Sequence, residues 1–464
     1  MPIAGDSGPH TIDMAWSVLG KLRDLDRSVA VDLILASIYL MAGEQRERLV
    51  DLAERQDHQA VGEMVAAVWD EGPAIPGWVR SVRLDDPVGR PLRLAATKVV
   101  LELDGAARRE PRASDGASNA DVFDLLVAKF ADGESPPASV PTPPTVVQAM
   151  VAMLVPEQDE AVYDPWCRAG ELLIGAAEAV RRQTGNPLGH RIAGQALDPR
   201  SRVISSMNLR LYGIEADLGG YAANALHDDI HAEDRFDLVL SNPPFNQSWE
   251  PEHFGGSRRL YAVPSAHNAN FAWLQHCLAK LNPDGRMCIL LPNNAGVSES
   301  PADRAVRNGL LRDDLIDCMV ALPPQLFPGT AIPVTMWILD RRRNDRQGQV
   351  LFIDAVEAGV MVQRTRRELE PSDVERITDI YRSWRHGNGV RERGAAVVPV
   401  NRILSEGANL NPRAYVGGAN DEARSHAAIS LFESYRDELG RLSRRATELD
   451  DEIDRKLAGL RWES

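Results

Sequence analysis

Short apolar segments alternate with amphipathic segments between residues 160 and 355, and this alternation constrains the fold more than any other feature. The apolar segments have the length of strands, and the segments between them repeat apolar residues at helical spacing. Such alternation is typical of an α/β domain with a largely parallel sheet. The predicted strands are 161–163, 192–197, 236–240, 287–291, 316–321, 334–339 and 350–354, and the predicted helices are 172–182, 200–211, 270–281 and 302–310.

Different patterns flank this region. Residues 10–70 and 92–103 carry apolar residues at helical spacing, and residues 104–118 have the polar, Gly-, Ala- and Arg-rich composition of a linker. Residues 422–460 repeat apolar residues every three or four positions for about four heptads, which predicts a long helix that packs on its own domain or on another subunit. We therefore expect a small helical domain over 1–115, an α/β domain over 116–418 and a heptad helix over 419–464.

The charge balance restricts the partners of the chain. With 52 basic and 67 acidic side chains the net charge is −15, so tight DNA binding without a partner would need a local basic patch. No apolar run approaches the ~18 residues that span a bilayer, and the first residues lack a signal-peptide pattern. The scattered cysteines form no CxxC pair, so we expect no metal site, no disulfide framework and a reduced, cytoplasmic setting.

The motif with the clearest chemistry is Ser241-Asn242-Pro243-Pro244-Phe245, which directly follows the predicted strand 236–240. Two prolines cannot continue a central strand, so they predict a stiff turn at the strand end where α/β sheets bind ligands. The Asn242 amide oxygen and the Pro243 carbonyl can accept hydrogen bonds from an exocyclic amine, and Phe245 can stack on a planar ring. The motif predicts catalysis by positioning and electrostatics on a planar, amine-bearing ring. If that ring were a base in duplex DNA, it would first have to be flipped out of the stack.

This motif resembles the catalytic motif of S-adenosylmethionine-dependent amino methyltransferases, and its NPPF form resembles their adenine-N6 branch. The resemblance extends over about 120–418 to the modification subunit of type I restriction–modification systems. It implies a Rossmann-like methyltransferase domain with Asn242, Pro243, Pro244 and Phe245 as catalytic residues. The similar segments, in chain order, are 245–248, 261–264, 268–276, 322–327, 330–333, 350–355 and 409–415.

The resemblance also implies a cofactor site for S-adenosylmethionine, in which this chain departs from the family pattern. Thr142-Pro143 resembles the loop that contacts the methionine part of the cofactor. Asp164-Pro165-Trp166-Cys167-Arg168-Ala169-Gly170-Glu171 stands where the family reads Asp-Pro-Ala-Cys-Gly-Ser/Thr-Gly-Gly. Arg168 and Glu171 thus replace glycines. Arg168 can pair with the cofactor carboxylate or block the pocket, and Glu171 can cap the helix that follows.

Two acidic positions complete the implied cofactor site. The acid expected at the ribose falls on Ala196, and Asp198 is the nearest substitute. The acid expected at the adenine amine is Asp228 or Asp229, and the position of Ile230 favours Asp228. The expected cofactor-binding residues are therefore Thr142, Pro143, Asp164, Pro165, Trp166, Gly170, Asp198 and Asp228.

Two functions from different classes follow. The first is a DNA adenine-N6 methyltransferase that works in a hetero-oligomer with a separate specificity subunit, with or without a restriction subunit, and with no membrane partner. The second is a methyltransferase-fold scaffold that binds DNA or a partner after decay of the cofactor loop. Methylation of RNA or of protein amides shares the motif, but the long type I resemblance disfavours it.

Overall fold

A computed structural model describes residue 22 and residues 25–70, 77–83, 89–109, 119–134, 141–189, 191–254, 260–390 and 392–416. The chain divides into two compact units, Met1–Tyr415 and Val416–Ser464, and the described residues belong to the first apart from Val416. The predicted heptad helix over 422–460 lies outside the described residues.

The first part of the chain is helical, as its apolar spacing predicts. Two of these helices begin at aspartate caps: Asp26 accepts a hydrogen bond from the backbone N–H of Ser28 at 2.9 Å, and Asp57 accepts one from that of Ala60 at 3.1 Å. The helices are α1 (Arg27–Ala42), α2 (Arg46–Glu54), α3 (His58–Ala67), α4 (Gly77–Arg83), α5 (Gly89–Arg109) and α6 (Asn119–Glu134).

The prediction of a linker over 104–118 is wrong for residues 104–109, because these residues form the end of α5. The physical reason is a buried carboxylate: Asp104 is 7% exposed and pairs with Arg46 at 3.3 Å and Arg108 at 2.5 Å. These pairs keep the last turn of α5 on the helical core. Residues 110–118 lie outside the described part of the chain.

The core of the helical region continues into the α/β region. Ala169, Val203, Ile204 and Met207 belong to the same buried cluster as the apolar faces of α1–α6. Asp124 on α6 reinforces this contact, since it accepts hydrogen bonds from the amide of Asn208 and the hydroxyl of Tyr212.

The described strands of the α/β region form an eight-stranded sheet and a separate two-stranded ribbon. The sheet order is β10-β7-β5-β6-β4-β3-β1-β2, with β6 and β10 antiparallel to their neighbours and all other pairs parallel. The predicted α/β fold with a mainly parallel sheet is confirmed. The strands are β1 (Val162–Asp164), β2 (Ile192–Gly194), β3 (Phe236–Ser241), β4 (Leu281–Pro292), β5 (Ile316–Ala321), β6 (Val334–Asp340), β7 (Gln349–Asp354), β8 (Val360–Gln363), β9 (Arg366–Glu368) and β10 (Ala395–Pro399).

Helices cover both faces of this sheet. Met150, Ile174 and Ile377 come from three helices and share one buried cluster with alternate residues of the strands. On the other face Phe271 packs edge-on against Trp337, with ring centroids 5.8 Å apart. The helices of this region are α7 (Pro144–Leu154), α8 (Glu171–Thr184), α9 (Pro199–Leu211), α10 (Asn270–Ala279), α11 (Pro301–Arg312), α12 (Pro371–Arg385), α13 (Val400–Ser405) and α14 (Arg413–Val416).

No single helix within the described ranges is long and apolar enough to cross a membrane. The bent pair of α1 and α2 passes that test by length and composition only. Most apolar side chains of this pair are buried in the helical core, as expected for core helices.

Candidate active site

The catalytic motif of the sequence analysis lies where β3 ends, at the carboxyl edge of the parallel strands β1, β3 and β4. Asn242, Pro243 and Pro244 are buried, and Phe245 is half-buried. The ring of Phe245 meets that of Phe327 edge-on, with centroids 6.0 Å apart. The turn is therefore held from both sides: by the strand that precedes it and by an aromatic contact that follows it.

The side chain of Asn242 is 2% exposed and lies between Thr142 and Arg168. A guanidinium only donates hydrogen bonds, so the amide oxygen of Asn242 must face Arg168. In this orientation Oδ1 accepts from Thr142 Oγ1 at 3.0 Å and from both terminal nitrogens of Arg168 at 3.2 Å. Arg168 Nη2 also donates to the backbone carbonyl of Asn242. Both oxygen atoms of Asn242 thus face one guanidinium.

Glu171 contributes the carboxylate of this hydrogen-bond network. Its Oε1 accepts from the Thr142 backbone N–H at 2.8 Å and lies 3.5 Å from Arg168 Nη1, and its Oε2 accepts from the Ala169 N–H at 3.2 Å. The Arg168 and Glu171 side chains are 9% and 15% exposed. Burial lowers the pKa of the Arg168 guanidinium, and the charge of Glu171 counteracts that effect. Thr142, Arg168, Glu171 and Asn242 therefore form one polar cluster.

The loop after β1 is shaped by its own residues. Asp164 accepts from the backbone N–H of Trp166 at 2.9 Å, and burial raises the pKa of this carboxyl to about 7. The indole of Trp166 is buried edge-on against Trp273, at 5.3 Å between ring centroids. Gly170 has φ +79°, and a Cβ there would lie 3.1 Å from Leu209, so glycine is required at this position.

Two prolines of the expected cofactor set act on the backbone. Pro143 precedes α7, and its carbonyl accepts from the N–H groups of Val146 and Val147 at 2.9 and 3.0 Å. Pro165 is buried in the loop after β1. Both residues fix the backbone beside the polar cluster, so their contribution is the shape of the loops.

Asp228 occupies a loop that the buried side chain of Gln195 holds in place. Gln195 Nε2 donates to the carbonyls of Ala223 and Asp228 at 2.9 and 2.6 Å, and its Oε1 accepts from Ile230 N–H at 3.2 Å. The Asp228 carboxylate is exposed and accepts from the hydroxyl of Tyr221 at 2.8 Å. No role was assigned to Gln195 from the sequence, because the residue fell inside the predicted strand 192–197, whereas β2 ends at Gly194.

The other acidic candidates have structural partners. Asp229 pairs with the buried Lys280 at 2.6 Å. Asp198 caps α9, because its carboxylate accepts from the backbone N–H of Ser201 at 2.9 Å and from the hydroxyl of the same residue at 2.7 Å. Ala196 is buried and offers no acid at the position expected for one.

Sequence reasoning also missed the residues that fix the chain after the motif. Asn246 has φ +54°, its N–H donates to Asn270 Oδ1 at 3.0 Å, and Asn270 Nδ2 donates back to Asn246 Oδ1 at 3.0 Å. The signal was present in the run 268–276, which the resemblance includes. This reciprocal amide pair ties the motif loop to the start of α10.

The chemistry available at this edge of the sheet is hydrogen-bond acceptance and positioning. Cys167 in the loop after β1 is buried, and burial raises the pKa of its thiol well above the ordinary value, so it is not a ready nucleophile. Amide and carbonyl oxygens in a rigid turn instead suit an amine that must be aimed at a reaction partner.

Residues 117–424 match the family model described as N-6 DNA Methylase. This chain belongs to the N-6 DNA methylase family. It is 31% identical over 347 residues to the type I restriction enzyme HindI methylase subunit of Haemophilus influenzae, a match that covers 74% of this chain and 78% of that protein. The MjaIX methylase subunit of Methanocaldococcus jannaschii is 26% identical, with 73% of this chain and 62% of that protein covered. The family expected from the sequence is confirmed.

A solved structure supports the same fold for this family member. The type I restriction–modification methyltransferase subunit of Streptococcus thermophilus superimposes with a TM-score of 0.63, at 23% identity and 80% coverage of both chains. At this identity the likeness concerns the fold: the mainly parallel sheet and the covering helices are shared.

Proposed function

We propose that this chain is the modification subunit of a type I-like restriction–modification or related defence system. It transfers a methyl group from S-adenosylmethionine to N6 of adenine in DNA. The observation that carries this proposal is the intact Asn242–Phe245 turn at the carboxyl end of β3, in a chain that belongs to the N-6 DNA methylase family. Family membership and the intact turn favour the enzyme over the scaffold.

The residues around the turn fit such a cofactor. Gly170 allows close approach of the backbone, the exposed Asp228 carboxylate can accept from an adenine amine, and the Arg168–Glu171 pair offers both charges that an amino-acid group needs. Thr142 lies between that pair and Asn242. When bound, the cofactor supplies an electrophilic methyl group activated by its sulfonium.

The residues of this chain hold and orient the target base. Asn242 Oδ1 and the Pro243 carbonyl accept the two N–H groups of the adenine amine, which leaves the nitrogen electron pair directed at the methyl carbon. Phe245 stacks on the flipped base, and its contact with Phe327 fixes the ring. The transfer is one displacement, with no covalent enzyme intermediate.

The net charge of −15 favours a separate subunit for DNA recognition. Both relatives are named as methylase subunits of type I restriction enzymes, which fits a hetero-oligomer with a specificity subunit and a restriction subunit. We assign the helical region 1–115 and the heptad helix 419–464 to subunit contacts, and we place the assembly in the cytoplasm.

The test is a methylation assay with the chain purified together with its specificity subunit. Plasmid DNA treated with cofactor is sequenced by a single-molecule method that detects N6-methyladenine. We expect one methylated sequence motif, and loss of that methylation in Asn242→Ala while the chain stays folded. DNA binding without methylation by the wild-type complex would support the scaffold and contradict the proposal.

A further inference from the structure

Arg168 contacts two groups of atoms that have different roles in the proposed reaction. On one side its terminal nitrogens lie 3.2 Å from Asn242 Oδ1, and Nη2 donates to the Asn242 backbone carbonyl. On the other side it donates to Thr142 Oγ1 at 3.2 Å and pairs with Glu171. The same guanidinium therefore contacts the acceptor of the target amine and the loop assigned to the cofactor.

This arrangement leaves Asn242 unable to receive an adenine amine. An amide oxygen has two lone pairs, and here Oδ1 already faces Thr142 Oγ1 and both terminal nitrogens of Arg168. Asn242 is also 2% exposed, so a base cannot reach the oxygen unless the guanidinium moves. The site must therefore change before the target base binds.

The acceptors that hold Arg168 at Asn242 are neutral, an amide oxygen and a backbone carbonyl. A carboxylate is a stronger acceptor, since charge-assisted hydrogen bonds are about twice as strong as neutral ones and a guanidinium binds carboxylates in a bidentate manner. The amino-acid group of S-adenosylmethionine carries such a carboxylate. Its arrival beside Thr142 would offer Arg168 a better partner.

We propose that Arg168 is a latch that makes target-base binding depend on the cofactor carboxylate. Without cofactor, Arg168 holds Asn242 in its closed state. With cofactor, the guanidinium transfers to the carboxylate and Asn242 becomes free for the adenine amine. Glu171 keeps its bonds to the Thr142 and Ala169 N–H groups, so the loop persists while Arg168 moves. Arg168 is a positioning residue, and this proposal rests on the proposed function.

Calorimetry with two product-like ligands tests the first half of the latch. S-adenosylhomocysteine carries the amino-acid group, whereas 5′-deoxy-5′-methylthioadenosine has the same nucleoside and thioether without it. A charged hydrogen bond is equivalent to ~10–100-fold in affinity, so we expect the wild-type chain to prefer S-adenosylhomocysteine by at least that ratio. Arg168→Gln should lose about tenfold of this preference, and Arg168→Lys should lose less because it keeps the charge.

Arg382→Gln is the matched control, because Arg382 forms the same type of arginine–carboxylate pair with Asp379 on the exposed face of α12. It should keep the wild-type preference. Tighter S-adenosylhomocysteine binding by Arg168→Gln would show that Arg168 only obstructs the pocket and would overturn the latch. Failure of the wild-type chain to bind either ligand, with its specificity subunit present, would overturn the cofactor assignment together with the latch.

The second half is tested at Asn242 itself. In a chain labelled with ¹⁵N-asparagine, the side-chain amide resonance of Asn242 is assigned by its absence in Asn242→Ala. S-adenosylhomocysteine should shift this resonance and 5′-deoxy-5′-methylthioadenosine should not, whereas in Arg168→Gln the resonance should be shifted before any ligand is added. Equal shifts from both ligands in the wild-type chain would contradict the coupling, even if the affinities agree with it.

Discussion

Two buried arginine–carboxylate clusters lie at opposite ends of the same sheet. At the amino end, Asp317 of β5 accepts from Arg346 Nε at 2.9 Å and from the Tyr381 hydroxyl at 2.7 Å. At the carboxyl end, Arg168 pairs with Glu171 and with both oxygens of Asn242. The residue types are alike, but the partners differ.

The two clusters differ in the chemical groups that the arginine and carboxylate side chains contact. Asp317 is 0% exposed, and its two oxygens join β5 to α12 and to the turn after β6 through strong, fixed bonds. Arg168 instead has, besides the carboxylate of Glu171, two neutral acceptors on Asn242 that a ligand can replace. A closed cluster of charges stabilises the fold, whereas a cluster with exchangeable acceptors responds to a ligand. Substitutions in the Asp317 cluster should therefore change the free energy of unfolding, and substitutions in the Arg168 cluster should change ligand binding.

The largest expected effect is at the amino end. Asp317→Ala removes the buried acceptor of Arg346 Nε and of the Tyr381 hydroxyl and leaves Arg346 with Asp340 as its carboxylate partner, so it should lower the free energy of unfolding by about 3–5 kcal/mol. Urea denaturation measures this change. Asp379→Ala breaks an exposed pair on α12 and should lower it by less than about 1 kcal/mol. Equal losses in the two variants would remove the distinction between the clusters.

Asp164 should give the carboxyl end a pH-dependent stability. Burial raises its pKa to about 7 in the folded chain, above the ordinary value of 3.8, so the folded state holds a proton that the unfolded state releases first. This contribution is complete below pH ~4 and is lost as the pH rises to about 7. Asp164→Asn should remove this part of the slope, on the order of a few kcal/mol, in urea denaturation between pH 4 and 8. An unchanged slope would contradict the assignment.

Phe245 should affect substrate handling without affecting stability. Phe245→Leu removes the ring assigned to stacking on the flipped base, which is equivalent to about 1–3 kcal/mol per base, or ~10–100-fold in kcat/KM for methylation. Phe245→Tyr keeps the ring and should stay within a few-fold of the wild type. Similar losses in both variants would contradict the stacking assignment, because tyrosine keeps the ring that stacks.

The smallest expected effect distinguishes the roles of the adjacent residues Asp228 and Asp229. Asp228→Asn should weaken cofactor binding by about tenfold in calorimetry, because its exposed carboxylate is the acceptor assigned to the adenine amine. Asp229→Asn should leave that affinity nearly unchanged and lower the unfolding midpoint, because it weakens the pair with the buried Lys280. The reverse result would exchange the two assignments.

The sequence predicted the fold well where local patterns are strong. The predicted strand 316–321 coincides with β5, and the catalytic motif lies at the end of β3 as expected. The predicted strand 192–197 ends earlier, at Gly194, because Gln195 turns its side chain into the loop of Asp228. The strands β8, β9 and β10 were not predicted, since they are short and β8 is exposed along its whole length.

The sequence predicted where the candidate site lies in the fold, but not which side chains contact each other there. Thr142 and Asn242 are separated by 100 residues, and their contact depends on the packing of α7 beside β3. The sequence left Arg168 as either an anion partner or an obstruction, because the side chain reaches Asn242 only in the folded chain. The sequence alone could not distinguish Asp229 from Asp228, because the pair of Asp229 with Lys280 joins residues far apart along the chain.

The shared core of the helical region has a practical consequence for protein engineering. Ala169 stands in the loop after β1, and Val203, Ile204 and Met207 form one face of α9, yet all four are buried in the core built by α1–α6. A cut before residue 117 would remove α1–α5 and keep only α6, so it would expose much of this apolar wall. A minimal methyltransferase cut from residue 117 onward would therefore be insoluble unless that wall were redesigned, so the enzyme cannot be shortened at the boundary of its own family match.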